Sequence, residues 1–309
     1  MLRVFTNRAP GDNGPVPAEL LTRLPQVEWQ DRERQHRERV ARFAEPYLDR
    51  RSRGAKHPVE DFLFTYYNQK PGQLLRWHPG AGIVLAGQAA GIRRDWKYYA
   101  AETDGVRVDV ARFTAERAEA VDFARLILAR TSARPAQFGC FGLHEWAMAY
   151  RSATNGVRHE YLRLRLGAEG TDDVVESARI RCTHFDAFRF YTPEAVPLNE
   201  HAPTRETQRD LEQPGCLHAN MDLYKWAYKL TPLLPSEIVM DCFELSWRIR
   251  AMDMRASPYD LGDWGYTPIA IETAAGKAEY VRLQRGFAEE SQALRIRLLG
   301  LLDRALGAP

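Results

Sequence analysis

Between Lys56 and Gly80 the chain carries five aromatic side chains, Phe62, Phe64, Tyr66, Tyr67 and Trp77, in a segment punctuated by Pro58, Pro71 and Pro79. A helix this rich in aromatics is a buried one, so a fold must be built around it. Pro58 suits a first helical position, where its missing N–H costs nothing, and Pro71-Gly72 ends the pattern. The spacing predicts a helix that starts at Pro58. Glu60 and Asp61 then lie in its first turn, near the positive end of the helix dipole. Dipole complementation alone explains acids there. Their company marks them as site candidates: the amides Asn68 and Gln69 follow on the same segment, and the basic run Arg50-Arg51-Ser52-Arg53-Gly54-Ala55-Lys56-His57 leads into it.

Residues 1–25 are rich in Pro and Gly and read as an extended arm. Residues 26–309 read as a single globular domain, mostly helical, with a small central sheet near 160–192. The fold class expected is α+β, predominantly α-helical. Sign-alternating charges predict a solvated helix over Glu28–Tyr47. Apolar periodicity predicts helices over Thr114–Arg130, Leu143–Arg151, Thr204–Glu212, Leu217–Lys229, Ser236–Met252 with Ser236 as N-cap, and Lys277–Leu306. Strict alternation predicts a strand over Tyr161–Gly167, pairing with Ile180–Phe190, and a short one over Val106–Val110.

Charge is uneven along the chain. Residues 1–100 carry 17 Lys and Arg against 11 Asp and Glu, and the remainder carries 26 against 30. The balance of +2 excludes a polycationic tail binder, but a basic N-terminal third suits an anionic partner. Cys140, Cys182, Cys216 and Cys242 form no C-x-x-C pair and match no zinc module, so they read as free buried thiols of a reducing cytoplasm. No secretory leader and no apolar stretch of roughly 18 residues occurs, which predicts a soluble cytoplasmic protein with no membrane contact.

Three constellations could carry chemistry. His144-Glu145 opens like the H-E-x-x-H zinc motif, but Met148 stands where the second histidine belongs, so the motif is broken. His184 and Asp186, two apart on a predicted strand, would share a face. His218, Asp222 and Lys225 fall on one helix face beside Tyr224 and Trp226. A carboxylate next to that amine stays ionised. A buried Asp222–Lys225 ion pair without catalytic purpose fits the same spacing. There is no P-loop, kinase signature or G-x-S-x-G elbow.

Long blocks of the chain resemble bacterial proteins labelled 3-methyladenine DNA glycosylases. They are Lys56 to Tyr67, Arg76-Trp77-His78-Pro79-Gly80, His184-Phe185-Asp186-Ala187-Phe188-Arg189, Glu212 to Trp226, and Asp253-Met254-Arg255-Ala256-Ser257-Pro258-Tyr259. The resemblance spans about residues 35 to 290. It implies a monomeric enzyme that flips a nucleotide out of DNA, packs its base among aromatic rings and hydrolyses the N-glycosidic bond without metal or cofactor. Enzymes of this reaction class can attack hypermodified cytosines in viral DNA, and the many aromatic and polar groups predict a roomy pocket for a bulky base. Candidates for catalysis are Asp61, Glu60, Asp222, Lys225 and His218, with Asp61 slightly ahead of Asp222. Candidates for holding the base are Tyr66, Tyr67, Asn68, Gln69, Trp77, Asn220, His184 and Asp186. Arg51, Arg53, Lys56, Arg76, Arg93 and Arg94 are candidates for DNA phosphates. A non-catalytic nucleic-acid or nucleotide binder, and a metalloenzyme using His144, His184, Asp186 and His218, are the rival readings.

Overall fold

The alternating charges after Pro25 build one long helix, α1 (Gln26–Ser52). Its exposed side carries ion pairs one turn apart, Arg32–Glu28 at 2.6 Å and Arg34–Glu38 at 2.7 Å. Its other side buries Trp29, His36, Val40, Ala44 and Tyr47, spaced to form one stripe. The computed structural model describes residues 21–307. Most of the expected N-terminal arm lies outside that range, but its end is not a loose arm. Thr22–Leu24 forms strand β1, parallel to β2 (Ile83–Ala86).

The sheet is completed by β3 (Tyr99–Glu102) and β4 (Gly105–Val108), in the order β1-β2-β4-β3 with antiparallel pairing from β2 onward. Gly105 belongs there because a Cβ would lie 2.4 Å from the Leu85 carbonyl oxygen. The short strand expected near Val106 is therefore present. The strands expected over 161–167 and 180–190 are not, and the sheet does not lie near 160–192. That region makes only two isolated bridges, Leu164 with Tyr259 and Ile180 with Asn199. The alternation at Leu162 and Leu164 is met instead by packing on Met254 and Tyr259.

The Lys56–Pro71 segment is not one helix either. Residues 58–61 form a turn, and only α2 (Phe62–Tyr66) is helical. Lys70, preceding a proline, is extended as its sterics demand, and Pro71 opens α3 (Pro71–Leu74) rather than closing the earlier helix. Further along come α4 (Val110–Ala133), α5 (Leu143–Ala147), α6 (Ser152–Asn155), α7 (Gly167–Ser177), α8 (Phe185–Phe188) and α9 (Gln208–Leu211). The chain ends with α10 (Leu217–Lys229), α11 (Ser236–Arg255) and α12 (Ala274–Ala305). Ser236 begins α11 inside its first turn. Its hydroxyl accepts from the His78 amide at 2.9 Å, and Pro235 holds the cap position.

The main core forms where α10 packs along α11, with α12 and α4 outside them. Leu223, Tyr224, Ala227, Phe243 and Leu245 are fully buried there, and each large apolar side chain contributes roughly 1.5–3 kcal/mol over exposure. A second cluster of Trp29, Trp77, Leu85, Tyr99 and Val106 joins α1 to the sheet. The fold is thus α+β and mainly helical, with its sheet at one side. No helix among the described residues is long and apolar enough to cross a membrane.

Candidate functional site

Helix α10 is buried nearly all round, so every polar group it carries needs a partner. Asp222 finds three. Its Oδ1 accepts from the Tyr67 hydroxyl at 2.9 Å, its Oδ2 from His184 Nε2 at 3.2 Å, and Lys225 Nζ from the next turn sits on Oδ2 as well. Burial raises the Asp222 pKa, but Lys225 and His184 outweigh it and hold the carboxyl below its usual range. Burial likewise works against a charged Lys225, and Asp222 with Glu212 outweighs it, so the amine stays protonated. The same Nζ lies 3.4 Å from Asp186 Oδ2. His184 precedes the single turn α8 and Asp186 lies within it, rather than both lying on a strand. The half-turn still delivers both side chains to one network.

Asp186 lines a narrow cleft with a free volume of about 10 Å3, shared with Phe62, Tyr66, Glu145, Phe190, His218 and Arg250, among others. Tyr66 stacks on Phe62 with ring centroids 4.8 Å apart. At the rim, the exposed guanidiniums of Arg158 and Arg189 each lie 4.3 Å from the Phe190 ring. That free volume is far below the roughly 300 to 1,000 Å3 of ligand pockets and holds about one water, so the roomy pocket expected from composition is not what the side chains leave.

A second buried cluster reaches inward from His218, Glu145 and Arg250 of the cleft wall. His218 turns away from Asp222 and packs its ring against His144, centroids 4.4 Å apart, and against His184 at 5.3 Å. His144 Nε2 is 3.1 Å from Asp253 Oδ1. Arg250 Nη1 joins Glu145 at 2.6 Å and approaches Asp253 Oδ2 at 3.4 Å. Burial drives the His218 pKa well down. It also opposes charge on His144, but Asp253 outweighs it there and raises that histidine. Among the described residues, two sets of atoms are close enough to share a metal ion, His144 with His218 and Asp253, and His184 with Glu212 and Asp222. Gly215 makes this packing possible at the head of α10. A Cβ there would meet the Gln137 carbonyl oxygen at 2.2 Å.

Other sequence candidates lie elsewhere. Asp61 and Glu60 do not line the cleft. Both are bound by Arg50, at 2.7 Å and 2.8 Å, and Asp61 Oδ2 also accepts from the His57 amide at 2.8 Å. Arg50 stands a helix and a turn earlier, a partner that spacing could not reveal. Trp77 is buried in the sheet-side cluster, donating to Glu237 at 2.9 Å. Asn220 is a structural amide that donates to the Pro214 carbonyl and accepts from Arg295, each at 2.9 Å. Asn68 is exposed, and its backbone N–H donates to Tyr228 Oη at 3.4 Å; neither it nor Gln69 lines the cleft. Arg93 cannot meet a phosphate, because it is buried against Glu33 at 3.0 Å and over the Trp29 ring at 4.8 Å. Arg51, Arg53, Lys56, Arg76 and Arg94 are exposed but line no part of the cleft, and Arg53 is paired with Asp49.

The sequence reading missed Phe62, Phe190, Arg158, Arg189, Glu212, Arg250 and Asp253. Arg250 and Asp253 did carry a signal. They are opposite charges one turn apart on a helix otherwise apolar on that side. No protein-family model matches this chain, and neither does any curated protein or any solved structure, so its function must be argued from the site.

Proposed function

We propose that the protein is a DNA N-glycosylase that seats a flipped base in the cleft beside Asp186, which widens as the base enters, and leaves an abasic site. The observation that carries the reading is a carboxylate and a fixed cation at the wall of an aromatic cleft. Asp186 lines the cleft, Lys225 Nζ is 3.4 Å behind it, and Asp222 anchors that amine from the interior. Phe62, Tyr66 and Phe190 offer rings against which an extruded base can pack.

The chemistry proceeds from charge. As the C1′–N bond breaks, its electron pair moves onto the base and C1′ becomes cationic. Asp186 stabilises that cation, and a water then adds to C1′ while its proton passes to the carboxylate. Lys225 is held protonated behind Asp186, where it fixes the position of the carboxylate that meets the cation. A Schiff-base route needs a free amine, which this pairing withholds. Arg158 at the rim is placed to meet a phosphate, and Arg189, whose Nε pairs with Asp186 Oδ1 at 3.2 Å, can offer its remaining guanidinium nitrogens to another. The resemblance directs the substrate toward modified bases, with hypermodified viral cytosine the first to test, in the cytoplasm and as a monomer.

The test is incubation with single- and double-stranded DNAs bearing different modified bases, scoring free base and alkali-labile sites. Asp186→Asn should lower release by at least about 100-fold while DNA binding persists. Asp61→Asn should leave release near that of the parent. No release from any substrate would sink the reading.

A further inference from the structure

The cluster that reaches inward from the cleft wall at His218 has no part in the excision scheme, yet it is built like a ligand set. His144 and Asp253 are 4% and 0% exposed, and His218 lies beside them. One ligand atom from each of the three lies within 4.8 Å of the other two. Two imidazoles and one carboxylate are the donor set of catalytic zinc and of mononuclear non-haem iron sites, which keep further positions open. A tetrahedral ion with bonds of about 2.0–2.1 Å needs donors roughly 3.3 Å apart, so the widest pair must draw in by up to about 1.5 Å around an ion.

Three further observations point to a cation. Asp253 Oδ1 is fully buried and accepts no hydrogen bond among the described residues, since His144 Nε2, 3.1 Å from it, is bonded to Oδ2 at 3.2 Å. Arg250 does not satisfy that need, because its Nη1 is held by Glu145 at 2.6 Å and stays 3.4 Å from the other oxygen of Asp253. In that position it steadies the carboxylate as an outer partner would. The neighbouring set of His184, Glu212 and Asp222 differs in one respect: the Lys225 ammonium already supplies its cation. Open positions would face a small chamber of about 10 Å3, room for about one water, lined by His144, His218, Cys140, Cys182 and Cys216. Cys140, Arg181 and Gln213 continue from it into an outer pocket at Gln137 and Phe138, which gives an ion a way in.

We propose that His144, His218 and Asp253 bind one divalent first-row transition-metal ion, of the zinc or ferrous type, with open coordination positions facing the thiol-lined chamber. The site does not depend on what reaction the cleft performs.

Elemental analysis of the full chain, purified without chelator, should find about one equivalent of zinc or iron, and which of them is present separates the two sources. After chelator stripping, cobalt(II) should produce visible ligand-field absorption that saturates at one equivalent and is displaced by zinc(II). His218→Ala and Asp253→Asn should each abolish the band, and His184→Gln should keep it. Circular dichroism identifies any variant that has not folded, and the titration of the parent chain stands without them. A folded parent protein that is metal-free as purified and gives no cobalt band overturns the proposal. So does a band that survives in folded His218→Ala and folded Asp253→Asn.

Discussion

The ammonium of Lys225 rests on the carboxylate of Asp222, one turn earlier on α10, with Asp222 1% exposed and the Lys225 side chain 12% exposed. Ion pairs out of water are costly to break, because the abandoned charge has no solvent to turn to. Removing one partner of such a pair costs about 3–5 kcal/mol, and removing both costs less than the sum. Asp222→Asn and Lys225→Met should each destabilise by that amount in chemical denaturation. The double variant should recover much of the loss. Simple additivity would show that the two charges do not depend on each other.

Tyr67 supplies a milder test of the same network. Its hydroxyl donates to Asp222 Oδ1 at 2.9 Å inside the core, and burial together with that carboxylate raises its pKa well above the ordinary phenol value. A hydrogen bond to a charged group contributes about 1.5–3 kcal/mol. Tyr67→Phe should therefore lower stability by that amount with little change in the aromatic packing. In the background of Asp222→Asn the same substitution should cost clearly less. An equal cost in both backgrounds would assign the effect to packing alone.

The rim arginines are tested by salt. Arg158 and Arg189 flank Phe190 at 4.3 Å each, while Arg93, also counted among the phosphate candidates, is buried. If the rim meets DNA, Arg158→Ala and Arg189→Ala should each weaken binding and lower the slope of log affinity against log salt by about one. Arg94→Ala, at an exposed position outside the cleft lining, should change neither. Unchanged slopes for both rim variants would remove the rim from the DNA interface.

Long periodic segments were the legible part of this chain. Leu217–Lys229 has the bounds its pattern predicts, and Thr114–Arg130 and Lys277–Leu306 each lie largely within one observed helix. The four strands run only three or four residues, too short for alternation to stand out, while the clearest alternating run, at Leu162 and Leu164, packs as irregular chain. The same contrast holds at the site. Asp222 and Lys225 are partners because a helix brings positions three apart together, which sequence displays. The fate of Asp61 was decided by Arg50, across a bend, and the junction of His144 with His218 and Asp253 joins three separate helices. Contacts of that kind depend on tertiary packing, and no local spacing encodes them.

Acid should weaken this protein before its carboxylates titrate. Burial, reinforced by Arg93, lowers the pKa of His78 to about 3, and burial with Arg250 nearby lowers that of His159 to about 4. Burial also lowers His36 and His57. A histidine in the unfolded chain titrates near about 6.5. Below that pH the unfolded state binds protons that the folded state refuses, so stability falls as pH drops. Each such group adds a slope of up to about 1.4 kcal/mol per pH unit between its two pKa values. His144 has the opposite sign, since its raised pKa gives stability that is present below about 6.5 and fades above it, outside this window. Asp222 and Asp253, both depressed, hold their contributions until the pH falls below the ordinary carboxylate range of roughly 4. The melting temperature should therefore decline steadily from pH 6.5 to pH 4.5, and His159→Gln should flatten that decline. A melting temperature constant across the interval would mean that these imidazoles reach water in the folded protein.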